Sequence, residues 1–310
     1  MISREKARVY GFLGVSSFHA TTVAISSIVM FITSFFTTAP DFMRMRAYSL
    51  IFIAAAVMFI FFAFDSSRME DAFEMCCVMV AAVAILGISI YRFWFSTWGT
   101  PTADLFVLFI TTAICIPVYC VLCPLLIRQF GWSSINRVGC DAKVLRNYSW
   151  YRIFLAFLKL DFFFHAILAV LGVFFFPIDL ELVAILVGLA AVLAWCLLAY
   201  WAFSREHRTA MGLFFIGWLL TPPYIIYKLW RILSDPARLP LFPIWVGVLG
   251  STLTLIAHVG VGIIGARVCR NIIRDPEHSV WAARKLFANG PPADPKSAGY
   301  EPVASQVSTA

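Results

Sequence analysis

The sequence predicts an all-α, polytopic transmembrane helical bundle of about eight spans with both termini cytoplasmic, and three observations carry that prediction. The 310 residues are 61% hydrophobic and only 13% charged, with a mean hydropathy of +0.86, whereas a soluble domain is roughly 45–50% apolar and about 25% charged. Apolar runs of about 20 residues, the helix length that crosses a hydrocarbon core of roughly 30 Å, recur along most of the chain. Lys and Arg also alternate between successive connections. With both ends in the cytosol, seventeen of the 24 fall on the cytosolic side, six on the other, and Lys159 lies within a span; such asymmetry sets membrane orientation.

The elements follow in order. Residues 1–10 form a short basic leader, "MISREKAR" at its start. The apolar run behind it is too long for a signal peptide and lacks a small-residue cleavage site, so it reads as an uncleaved anchor. The first four-span half covers 11–127, with spans at 11–36, 47–64, 72–95 and 103–127. A cytoplasmic loop follows at 128–152, and the second half covers 153–267, with spans at 153–176, 180–203, 211–232 and 243–267. The break between its first two spans rests on "FPIDLEL", where Pro177, Asp179 and Glu181 suit a surface hairpin. Residues 268–289 read as a juxtamembrane segment with an amphipathic helix over about 279–288, carrying Trp281 for the interface and Arg284 and Lys285 for headgroups. The Pro-, Ala-, Ser- and Gly-rich residues 290–310 are expected to be disordered.

Trp94, Trp98, Trp132, Trp150, Trp201, Trp230 and Trp245 fall near predicted span ends, where amphipathic rings settle. Trp195 and Trp218 do not. None of the eight cysteines lies in a predicted outer loop, so no extracellular disulfide framework is available. Cys269, among Arg267, Arg270 and Arg274, is a palmitoylation candidate. The sequon at Asn147 falls on the cytoplasmic side, where it would go unused. The net charge of +7 matches anionic headgroups at the cytoplasmic face and requires no nucleic acid.

The unusual chemistry lies inside the spans. In "YRIFLAFLKLDFFFHAILAV", Lys159, Asp161 and His165 interrupt an apolar helix. At 1.5 Å per residue Lys159 lies about 9 Å from the cytoplasmic edge, Asp161 about 12 Å and His165 about 18 Å. Lys159 and Asp161, two apart, face nearly opposite ways; Asp161 and His165, four apart, share a face. Lys159 has a stem long enough to snorkel to headgroups, or else a functional role. Asp161 is too short for that. Its ionised form costs about 2.5–3.5 kcal/mol in mid-helix, so it must face neighbouring protein or carry a proton. His19 and His258 lie about 13 Å deep, in the same slab, making Asp161, His165, His19 and His258 a candidate polar or proton-binding centre.

Thr221, Pro222, Pro223 and Tyr224 form a candidate helix break at similar depth, because the prolines leave the Trp218 and Leu219 carbonyls without their helical donors. Gly247, Gly250, Gly260, Gly262, Gly265 and Ala266 let the last span approach its neighbours closely, with a homo-oligomer contact as a second reading. There is no phosphate-binding glycine loop, HExxH or histidine-box series, and Asp161 is the one deep carboxylate. These omissions argue against an enzyme, and no cofactor or metal is expected.

The run "FLKLDFFF", Phe157 to Phe164, resembles a segment of uncharacterised fungal multi-pass membrane proteins. The likeness covers one helix and implies a eukaryotic polytopic protein with no activity attached. The functional expectation is therefore a transporter-like or channel-like membrane protein with a protonatable midplane centre. The alternative is a receptor-like or scaffolding protein acting through its basic loop and tail. Spans of about 24 residues favour the plasma membrane or late secretory pathway.

Overall fold

A computed structural model of the chain describes residues 4–36, 42–95, 103–138, 142–175, 179–234 and 241–274. These residues form eight α-helices: α1 (Arg4–Phe36), α2 (Phe42–Met69), α3 (Ala72–Phe95), α4 (Ala103–Val138), α5 (Ala142–Phe175), α6 (Asp179–Ser204), α7 (Arg208–Ser234) and α8 (Leu241–Arg274). Seven contain a stretch long and apolar enough to cross a membrane, and α3 contributes the shorter apolar stretch Ala72–Gly87. The chain is thus a multi-pass membrane protein, all-helical among the described residues. The amphipathic segment and tail of 275–310 lie outside the described residues.

Polarity is distributed as a bilayer requires. Phe18, Val57, Val80, Ile216, Leu220, Ile256 and Ile263 stand on the outside of the bundle, while Ser16, His19, Ser49, Ser66, Ser89, Thr112, Asp161, Thr254 and His258 are buried within it. A protein surrounded by water would not expose so much contiguous apolar surface. Several buried hydroxyls return their protons to the preceding turn of their own helix: Ser49 to Met45 O, Ser89 to Ile85 O, Thr112 to Leu108 O and Thr254 to Gly250 O, at 2.7–2.8 Å. That satisfies them without water.

The helices pack as two four-membered rings of similar make-up. In the first, α1 contacts α2 and α4, and α3 contacts both of those; in the second, α5 contacts α6 and α8, and α7 contacts both of those. Helix lengths run 33, 28, 24 and 36 residues in the first half and 34, 26, 27 and 34 in the second. The second and third helices of each half meet in the same turn. Glu70 and Glu206 both have φ of 54°, the left-handed closure of a helix C-terminus. The next residue then donates its amide five residues back, Asp71 to Ser66 O and His207 to Ala202 O, each at 2.9 Å.

The halves meet chiefly through α5, which packs on α2, α3 and α4 as well as on its own ring. A helix clasped on several sides has no single buried stripe, and the polar side chains of α5 accordingly point to both halves, Lys159 to the first and Asp161 to the second. The predicted loop at 128–152 is largely helical, because α4 runs on to Val138 and α5 begins at Ala142. Hydropathy marks where apolar side chains stop, but a helix continues until a residue or cap ends it. Similarly, α7 runs unbroken through Thr221, Pro222, Pro223 and Tyr224, so the expected break is absent.

Candidate polar centre between α5 and α8

The opposite facing of Lys159 and Asp161 divides the work of α5. Lys159 turns to the first half and Asp161 to the second. Asp161 is fully buried, and its Oδ2 lies 2.9 Å from Nδ1 of His258 on α8. His165, one turn along α5, donates from Nδ1 to the Asp161 carbonyl at 2.8 Å and holds that nitrogen 3.4 Å from Oδ1. Its Nε2 is buried with no hydrogen-bond partner among the described residues.

The other nitrogen of His258 determines the proton inventory. Nε2 lies 3.0 Å from the Trp218 carbonyl, an acceptor only, so Nε2 carries hydrogen. Nδ1 then faces the Asp161 carboxyl, and two lone pairs cannot share that 2.9 Å contact. One proton lies between Asp161 Oδ2 and His258 Nδ1, whichever atom holds it. The Trp218 carbonyl is free to accept because Pro222, four residues on, has no N–H. Thus the proline pair leaves α7 helical but releases an acceptor, and a histidine from α8 takes it.

Trp218 returns the contact, donating from Nε1 to the His258 carbonyl at 2.8 Å. Its ring stacks on the imidazole with centroids 6.1 Å apart and planes at 12°, and Trp195 of α6 lies against the same imidazole at 5.2 Å. These are the two tryptophans that fall away from predicted span ends. Their interior placement was the available signal that they serve packing rather than the interface.

Glycines make room for these rings. A Cβ at Gly262 would stand 2.6 Å from Trp218 Nε1, and one at Gly217 would stand 2.6 Å from Trp195 Cδ1. Gly262→Ala therefore displaces Trp218 and breaks its reciprocal bonds with His258. We expect a net loss of about 1–3 kcal/mol from overpacking, despite a helix-propensity gain of up to about 1 kcal/mol. Thermal unfolding in detergent checks this, with Gly212→Ala, where a Cβ meets open space, as the control.

His19 occupies a separate place, the core of the first half. Its Nε2 lies 3.1 Å from Thr112 Oγ1, whose own proton goes to Leu108 O, so His19 is the donor. Its Nδ1 lies 3.3 Å from Tyr119 Oη, which also approaches the Val15 carbonyl at 3.5 Å. Asp161, His165 and His258 are brought together, while His19 links α1 to α4 in the other ring.

Lys159 does not snorkel. It bridges the carboxylates of Asp65 on α2 and Glu74 on α3, beneath the Phe61 ring. Near the same end Arg152 donates to Asp71 Oδ2 at 2.7 Å, to Met69 O at 2.7 Å and to Tyr148 Oη at 3.2 Å. Asp71 also caps α3 by accepting from Phe73 N–H at 2.9 Å. Charge counting aimed at orientation passed over this network. Its signal was "FDSSRMEDAFE", with four carboxylates at the end of the bundle where Arg152 and Lys159 emerge.

Asp161, His165 and His258 each offer a ligand atom within 4.8 Å of the others. As arranged, both His258 nitrogens are already engaged, one by the Asp161 carboxyl and the other by the Trp218 carbonyl. Cys269 is partly buried against the second-half core. No protein family, curated protein or solved structure matches this chain, so its functional reading rests on the geometry above.

Proposed function

We propose that the protein is a transporter or channel, spanning the membrane eight times with both termini cytoplasmic, whose interior is organised around an exchangeable proton at Asp161, His258 and His165. The observation that supports this reading is the 2.9 Å contact between a fully buried carboxyl and a fully buried imidazole, which needs a proton between them. A neighbouring nitrogen, His165 Nε2, has no hydrogen-bond partner among the described residues. Carboxylates and histidines in spanning helices mark proton and ion pathways because their burial is otherwise costly. Histidine also changes charge within the physiological range. Gain or loss of the proton alters the attraction between α5 and α8, and His258 passes that change to α7 through Trp218. Span length favours the plasma membrane or late secretory pathway as the site of this activity in the same proposal.

Two measurements test it. The His258 ring lies against Trp218 and Trp195, so exchange of the proton is expected to make tryptophan emission in proteoliposomes respond to pH. Trp218→Phe should diminish that response, and His258→Gln should abolish it. Liposomes loaded with a pH-sensitive dye should dissipate an imposed proton gradient faster with the wild type than with Asp161→Asn. Equal rates for wild type, variant and protein-free liposomes would remove the proton role.

A further inference from the structure

The groove between α7 and the end of α8 is lined by Phe215, Ala266, Cys269, Arg270, Ile273 and Arg274, with a volume of about 480 Å³. We propose that it holds one anionic phospholipid, with its phosphate between Arg270 and Arg274 and an acyl chain along Phe215, Ala266 and Ile273. The two arginines are four residues apart, so their guanidinium groups share a helix face about 6 Å apart along the axis. Both are exposed, and neither has a carboxylate within ion-pair distance among the described residues. Arg267 is engaged differently, lying over the Trp150 ring at 4.0 Å.

The lining selects the chemistry. A zwitterionic lipid would meet two cations with its own cation nearby, and a free anion would leave the apolar floor uncovered. An anionic phospholipid satisfies both halves of the groove. The groove lies on α8, which also exposes Ile256 and Ile263, an apolar surface suited to acyl chains.

Native mass spectrometry of the full chain in a neutral detergent, with dioleoylphosphatidylglycerol or dioleoylphosphatidylcholine added, tests the proposal. Phosphatidylglycerol is expected to remain as a single adduct where phosphatidylcholine is lost. R270Q/R274Q should weaken that adduct about 30-fold, the effect of two basic side chains near a lipid surface. Ala266→Trp fills the groove without changing charge and should weaken it as well. Arg267→Gln should not. Thermal unfolding is used to confirm that each variant is folded.

Equal retention of both lipids, or an adduct unchanged in R270Q/R274Q or Ala266→Trp, would overturn the assignment. So would displacement by inorganic phosphate at concentrations matching the lipid, which would indicate a soluble-anion site. A covalent acyl chain on Cys269 in the isolated protein, with no lipid adduct, would show the groove to be filled from within the chain.

Discussion

His258→Ala is expected to cost about 3–5 kcal/mol, the sum of two buried polar groups left unsatisfied and the cavity that remains. The substitution strips Asp161 of its partner at Oδ2 and returns the proline-freed Trp218 carbonyl to an unsatisfied state. It also opens a cavity against Trp195 and Trp218. Asp161→Asn should be far milder, about 1 kcal/mol. The asparagine amide can donate to Nδ1 of a neutral His258 while Nε2 keeps its bond to Trp218. Thermal unfolding in detergent measures both, and the contrast is the informative quantity. Similar losses in the two variants would show that shape rather than charge holds α5 to α8.

Lys159→Met is expected to cost about 3 kcal/mol, because Asp65 and Glu74 then face each other with no cation between them. The two carboxylates differ in their escape. Asp65 is 24% exposed and can turn toward water, whereas Glu74, at 2%, cannot. Glu74→Gln added to Lys159→Met should therefore recover more than half of the loss, and Asp65→Asn should recover less. A double-mutant cycle on unfolding free energies separates these contributions. Recovery equal for both second substitutions would mean that the end of α5 is open enough for solvent to screen the network.

How much of this was legible in the chain differs residue by residue. Among the described residues the apolar runs coincide with eight helices, seven of them long and apolar enough to cross a membrane, because hydropathy over about 20 residues reports a solvent requirement that packing detail does not reverse. Helix ends were less visible, since α4 and α5 continue past the apolar stretch into charged sequence. The opposite facing of Lys159 and Asp161 followed from helical period alone. That both need a protein partner followed for Asp161 from its short side chain. For Lys159 it did not, because a long stem offers an escape to headgroups that sequence has no means of excluding.

Linear spacing gives His19 and His258 similar expected depths but carries no rotation. Nothing in it shows that the first belongs with Thr112 and Tyr119 and the second with Asp161. By itself, then, the sequence determined that this is a membrane-embedded helical protein with a carboxylate too deep to be left alone. Only the tertiary structure decided which side chains answer it. Partner choice depends on the angle at which each helix presents its face to the next, and that angle is set by packing of side chains remote in sequence, such as Trp218 over Gly262.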